Sequence, residues 1–367
     1  MTLEMAEQEH ARRQRNDTAG DSGDEDEDGE ADDNVEQATR RWRYCLHIAY
    51  LGTGFVGWQR QNEKSSFGMG SVQELVEDAI TEILQAKERV NVTSVSRTDA
   101  GTHALYQYGT IRLALELPMS LEEFKDRVNA KLTDNVVVHQ VSELNAVTKP
   151  TRIRSRYKKY IYYIQQGHRP DLELGKYSWF IGKKVDPQRL RDALSYLVGD
   201  HDFRPFSQGL QKAEFADKTT IRTLISAKVR VRRHVNFSLD PALCGMGELM
   251  DETEHLTLPD AFTKLPPSTN AAVAEANEKK KRRVERPSTP VHFICVELIA
   301  NGFLRHMVRR IMGTLRPIGE GTYPPLRMKQ VLNGEIEPGP SAPTKGLWLH
   351  RTWLTQEDWD ADETRDD

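Results

Sequence analysis

The sequence predicts an α+β fold made of two α/β units. Three observations carry that expectation. Strand-like and helix-like segments alternate from Trp42 to Leu315 and follow in the same general order in both halves. A chain of 367 residues is longer than one core usually organises. No run of 18 apolar residues occurs, so a membrane-spanning fold is not expected.

In the first unit, 41–148, Trp42–Tyr50 alternates as a strand. Ser71–Leu84 carries apolar residues at Val72, Leu75, Val76, Ala79, Ile80 and Ile83, which is helical spacing. Ser71 can cap this helix, with Glu74 at the reciprocal capping-box position. Val92–Val95 and Ala104–Ile111 read as strands on either side of a polar loop. Ser120–Leu132 reads as a helix opened by serine with Glu123 at the third position, and Val136–Val141 as a strand.

The second unit is expected over 149–355. Arg156–Gln165 is a strand dense in tyrosine. Asp186–Leu197 reads as a helix with Asp186 as cap and Pro187 at its first position. Ile221–Val231 and Val291–Leu298 read as strands, and Phe303–Leu315 as a helix. Residues 238–289 interrupt the unit with a segment rich in Pro, Ser, Thr, Glu and Lys, read as a flexible basic insert. Inside it, Glu278–Arg283 and Arg286 fit a solvated loop, an RNA-contacting arm, a nuclear localisation signal or a protein contact.

The net charge of −4 conceals a division. Residues 1–40 carry a net −10 and residues 356–367 a net −6, which leaves +12 on the body between them. Both termini read as acidic tails, the first one disordered. A basic body suits a phosphate-rich partner, although a charge excess of either sign also serves solubility. Cys45, Cys244 and Cys295 are widely spaced and show neither a zinc pattern nor a disulfide framework. An intracellular setting follows, nucleus or cytoplasm. A mitochondrial leader is disfavoured because transit peptides are poor in acidic residues.

The chemistry concentrates at Ser96–His103, which reads Ser-Arg-Thr-Asp-Ala-Gly-Thr-His. Asp99 stands on a short loop between two strands, a common way of presenting a reactive group. Arg97, two residues away, is of the right type to pair with a carboxylate. A surface ion pair in a glycine turn would read the same way. Gly52, Gly54 and Gly57 do not form a nucleotide loop; their spacing and Trp58 indicate a tight structural turn near the site. The chain has no Lys-Ser/Thr phosphate loop, no dinucleotide fingerprint and no clustered His/Cys ligands.

These residues resemble the TruA family of tRNA pseudouridine synthases. Arg97–Ala104 match its Arg-Thr-Asp-Ala-Gly-x-His-Ala run. Further likenesses follow in the family's order: Tyr50–Gln61, Ser71–Glu74, Lys158–Tyr162, His201–Phe203 with Phe206, Gly302–Gly313, and Ala342-Pro343 with Gly346-Leu347. Together they span about 42–353. The resemblance implies a pseudouridine synthase fold, with the sheets of the two units joined across a central basic cleft. It implies isomerisation of uridine to pseudouridine without metal or cofactor. The partner is RNA, with the tRNA anticodon stem-loop as the family default, handled by a homodimer or a monomer.

By the same resemblance the catalytic set is Asp99, Arg97, Tyr160 and Arg309. Asp99 is the expected nucleophile. It has three routes open: attack on ribose C1′, attack on ring C6, or assistance to a glycal intermediate. Arg97 and Arg309 are its expected electrostatic partners, and Arg97 could also fill the place of the flipped nucleotide. Helix spacing offers an alternative, in which Phe303, Met307, Ile311 and Leu315 form the apolar face and Arg305, Arg309 and Arg310 contact phosphate. Tyr160 matches the tyrosine that stacks on the target base, with Tyr157 as the choice if the match slips. His103 is expected to hold the Asp99 loop by hydrogen bonding. His306 is read as facing RNA or packing on its helix. Arg154, Arg156, Lys158 and Lys159 are expected on the RNA backbone, and Asp202 beside the catalytic group.

Ser96 stands where many members of the family have glycine. The acidic N-terminus and the insert suggest a eukaryotic member. Other readings are a synthase acting on other RNA, or a non-catalytic RNA-binding or folding protein. A deaminase is set aside because its zinc ligands are absent from the sequence.

Overall fold

The computed structural model describes residues 42–61, 68–144, 153–209, 219–250 and 291–362. The N-terminal acidic tail, the run Glu278–Arg283 and Arg286 lie outside the described residues. The strands are β1 (Trp42–Tyr50), β2 (Thr93–Ser94), β3 (His103–Leu113), β4 (Val136–Glu143), β5 (Tyr157–Gln166), β6 (Trp179–Ile181), β7 (Gly199–Asp202), β8 (Ile221–Arg232), β9 (His292–Ala300) and β10 (Leu347–Trp353). The helices are α1 (Val72–Ile83), α2 (Leu121–Asn129), α3 (Pro187–Leu194), α4 (Met307–Gly319), α5 (Leu326–Leu332) and α6 (Gln356–Ala361). The architecture is mixed α/β.

The strands form one ten-stranded sheet, in the order β4-β1-β3-β10-β5-β9-β8-β7, with β2 on β3 and β6 on β5. β10 is the link between the halves. It runs antiparallel to β5, but meets β3 in parallel through only Trp348–His103 and Leu349–Ala104. Two paired positions therefore join the strand that follows Asp99 to β10, whose other edge pairs with β5, the strand that carries Tyr160.

The alternation of each strand sorts side chains onto two faces. On one face Leu46, Ile48, Tyr160, Tyr162, Val296, Leu298 and Leu349 pack with apolar residues of α1 to α5. On the other, Leu105, Ile161, Tyr163, Phe293, Cys295 and Trp348 are covered by Val235, Phe237 and Cys244. The start of the expected insert is thus packed against the sheet, and Cys45, Cys244 and Cys295 are all buried. Residues 356–361, expected as plain acidic tail, form α6, whose Trp359 packs at a tilt against Tyr157 and edge-on against Trp353.

Helix starts follow the cap chemistry. Ser71 and Ser120 accept from the backbone N–H groups of Glu74 and Glu123, and Asp186 accepts from Gln188. α4 differs from its expected start at Phe303. His306 stands in the left-handed region at φ 60°, so regular helix begins at Met307. α4 also runs past Leu315 through Pro317. Pro317 has no N–H to give the Gly313 carbonyl. The chain at 339–340 packs against that turn so closely that a Cβ on Gly313 would meet the Pro340 oxygen at 1.6 Å. That contact brings Ala342 alongside Arg309. Among the described residues no helix is long and apolar enough to cross a membrane.

Candidate active site

Asp99 lies where the β2–β3 loop turns, with Thr102 N–H donating back to its carbonyl at 3.0 Å. The loop is braced from below. Trp58 N–H donates to Thr98 O, and Tyr50 Oη shares a 2.7 Å hydrogen bond with Thr98 Oγ1. Gly57 has φ 110°, and a Cβ there would sit 2.7 Å from Thr98 O. The glycine turn after β1 is therefore a structural cradle for the loop, as expected from the sequence.

His103 fastens the far side of the loop. Gly52 N–H donates to its Nδ1 at 3.1 Å, and its Nε2 lies 3.2 Å from Lys345 O. A ring that accepts at one nitrogen and donates at the other is neutral. Burial agrees, pushing its pKa down to about 4. The ring also stacks on Trp348 of β10 with centroids 4.3 Å apart.

The carboxylate is 29% exposed and keeps a path to solvent. Arg309 reaches it from α4, with Nη1 2.8 Å from Oδ2, while its Nε donates to Ala342 O at 2.8 Å. His306 Nε2 stands 3.4 Å from the same Oδ2. Of the two readings of this helix, the structure has Arg309 against Asp99.

Among the described residues, Arg309 and His306 are side chains that reach the carboxylate. Arg97 falls between buried Ser96 and Thr98, which leaves its own side chain exposed.

Tyr160 is buried on the α4 face of β5 and packs edge-on against Phe303, with centroids 4.9 Å apart. Burial pushes its phenol up to about 12, with the Asp99 charge adding and a Ser96 hydrogen bond opposing. Ser96, the departure from glycine, thus has a partner in the site. Its carbonyl accepts from buried Gln107 Nε2 at 2.7 Å. Tyr157 lies on the other face of β5, packed at a tilt against Trp359, so it does not replace Tyr160.

The basic residues divide. Arg154, Arg156 and Arg305 are exposed, and Lys158 is half-buried on the Tyr160 face of β5. Arg156 donates to Gln356 and lies over the Tyr157 ring. Lys159 is a correction. It points to the opposite face and is buried at 6% exposure, with Nζ 3.1 Å from Glu297 Oε2. A side chain enclosed in that pair is not on an RNA-binding surface. Arg310 donates to Ser207 O and lines a polar cavity of about 320 Å³ beside Gln208 and Ser341. Asp202, expected beside Asp99, is exposed on edge strand β7 and accepts from Arg204 N–H. The supporting contacts come instead from Tyr50, Thr98, Ser96 and Gln107. Of these, Gln107 left a sequence signal: one amide inside an otherwise strand-like run.

Among the described residues no group of three or more His, Cys, Asp or Glu is placed to hold a metal ion. A partly exposed carboxylate held by a cation and close enough to a buried tyrosine to raise its pKa can act as nucleophile or base toward a flat, uncharged ring. Residues 193–352 match the profile described as tRNA pseudouridine synthase. A protein of a Thermoanaerobacter species called tRNA pseudouridine synthase A is 28% identical over 305 residues, covering 82% of this chain and 95% of the relative. A Geobacter sulfurreducens protein of that name is 28% identical over 308 residues, 83% of this chain and 97% of its own. A Nitrosomonas eutropha one is 28% identical over 311 residues, covering 84% and 86%. All three are bacterial, so they lend no support to the eukaryotic placement read from the tails and insert. Motifs and relatives agree: the chain is similar to tRNA pseudouridine synthases, with the profile matching its second half and the relatives covering more than four fifths of it.

Proposed function

We propose that this enzyme isomerises a uridine of the tRNA anticodon stem-loop, with Asp99 as the reacting carboxylate. The observation that carries the reading is Asp99, ion-paired to Arg309, partly open to solvent and next to Tyr160. Uridine in a stem is stacked, so the enzyme must extrude it before Asp99 reaches the sugar or ring. Exposed Arg97, beside Asp99 in the chain, suits the gap left in the stem. Tyr160 offers a face for the base.

The reaction breaks the bond from C1′ to N1 and forms one from C1′ to C5. N1 gains a proton and C5 loses one, so no oxidant or group donor enters. The detached uracil has to turn over without leaving, and a buried aromatic wall at Tyr160 favours retention. Arg309 holds the carboxylate still through its 2.8 Å contact. Arg154, Arg156, Lys158, Arg305 and Arg310 are the proposed contacts to backbone phosphate.

The test uses tRNA transcripts labelled with tritium at uridine C5, together with pseudouridine mapping of the product. Wild type should release tritium from an anticodon-stem uridine, and Asp99→Ala should release none while still binding the RNA. Release by Asp99→Ala at the wild-type rate would remove Asp99 from the chemistry. Modification only elsewhere in tRNA, or only in another RNA, would overturn the anticodon assignment.

A further inference from the structure

The two oxygens of Asp99 have different surroundings. Oδ2 faces both Arg309 Nη1 and His306 Nε2, at 2.8 and 3.4 Å. Among the described residues no side chain donates to Oδ1. His306 is placed there by an unfavourable backbone. Only it and Gln85 have positive φ among the described non-glycine residues. Such strain persists where surrounding structure enforces it and is concentrated at functional sites.

The ring also reports its own protonation. His306 Nδ1 is buried and, among the described residues, has no hydrogen-bond partner. A buried N–H without an acceptor is rarer and costlier than a buried lone pair. The proton therefore belongs on Nε2, which faces Asp99. Imidazolium would bury an unpaired Nδ1–H. Burial accordingly lowers the His306 pKa, with Arg309, Arg305 and Arg310 adding and Asp99 opposing.

We propose that His306 is a positioning residue for the isomerisation. As a neutral Nε2–H donor it fixes Oδ2 together with Arg309, so that Oδ1 is the oxygen presented to the bound uridine. At 3.4 Å the contact is longer than a formed hydrogen bond, and such contacts tighten when substrate closes the site. The proposal rests on the assignment of Asp99 above and adds which oxygen reacts and what aims it.

Glycine adopts φ near 60° freely, so His306→Gly removes the ring without straining the turn. This variant should melt like wild type and bind tRNA within about twofold. Its single-turnover rate should fall about 10- to 100-fold, as for loss of a hydrogen bond to a charged group. His306→Gln keeps an N–H of similar reach and should recover most of that loss. His306→Asn tolerates the left-handed backbone but is shorter, and should behave like His306→Gly. It replaces the glycine variant if that one melts early. An unchanged rate in the glycine and asparagine variants overturns the proposal. So does weakened RNA binding at an unchanged rate, which would make His306 an RNA contact. Asp99→Ala runs in the same assay: if it is inactive the assignment of Asp99 stands whatever His306 does, and if it is active that assignment falls first.

Discussion

Arg309 and Asp99 are 210 positions apart in the chain and 2.8 Å apart in the fold. The guanidinium that meets the carboxylate through Nη1 also holds the Ala342 carbonyl through Nε. The Ala342 N–H in turn donates to the Arg309 carbonyl at 2.9 Å. One residue thus ties the Asp99 loop, α4 and the approach to β10 into a single unit.

Lysine cannot replace that double role, because one ammonium lacks the planar fork. Arg309→Lys is expected to keep the fold, lose about 1–3 kcal/mol of stability and slow turnover about 100-fold. Arg309→Met should cost more, since it leaves a partly buried carboxylate without its cation. Denaturant melts and single-turnover rates measured on the same preparations check both.

Lys159 should affect stability and not RNA. Its ammonium and the Glu297 carboxylate are both nearly enclosed, and Arg230 Nε approaches the same carboxylate at 3.2 Å. Removing one partner of a buried pair costs about 3–5 kcal/mol. Lys159→Ala is expected to lose about that much, and to bind tRNA normally below its melting point. A weakened affinity with unchanged stability would return Lys159 to the binding surface.

His103 gives the fold an acid limit. Its pKa is pushed down to about 4 by burial, against an ordinary 6.5. Between those values the unfolded chain binds a proton that the folded chain refuses, so stability rises with pH there. The His103 contribution is complete above about pH 6.5 and is lost as pH falls toward 4. His47 behaves alike, also lowered to about 4 by burial. Urea melts from neutral to acid pH should show this decline, and His103→Gln should flatten it while lowering stability at neutral pH by about 1–3 kcal/mol.

Tyr160 gives a corresponding alkaline limit. Its phenol is raised to about 12, so it stays neutral through the working range and is a poor general base. Stacking is then its larger part. Tyr160→Phe should keep turnover within about tenfold of wild type, whereas Tyr160→Ala should lose more than about 100-fold. The raised pKa also means that the stability it contributes is present below about pH 10 and is lost as pH rises through about 12. Phenolate absorbance during alkaline titration should therefore appear together with unfolding.

Local signals were legible wherever one segment carries its own instruction. β1, α1, β5 and α3 lie within a residue or a few of where alternation, apolar spacing and capping residues put them. The Asp99 loop was legible as well, because strand, turn and strand are contiguous. β10 was not. Leu347–Trp353 is short, and its role depends on partners more than 180 residues earlier in β5 and more than 240 earlier in β3. The orientation of charged side chains was also hidden. Lys158 and Lys159 are adjacent and chemically alike, and only the pleat of β5 sends one toward the site and the other into a buried pair. The same holds for Arg97, whose exposure follows from the burial of its neighbours Ser96 and Thr98.

The placement of β10 sets an order of events during synthesis. The loop bearing Asp99 leaves the ribosome early, and β1, β3 and β4 can pair soon afterwards. Arg309 follows some two hundred residues later, and the strand that stitches β3 to β5 emerges near the end. Until it docks, the Asp99 loop lacks the bridge to the half that carries Tyr160. The sheet is therefore completed in one late step, when a seven-residue strand slots into its middle.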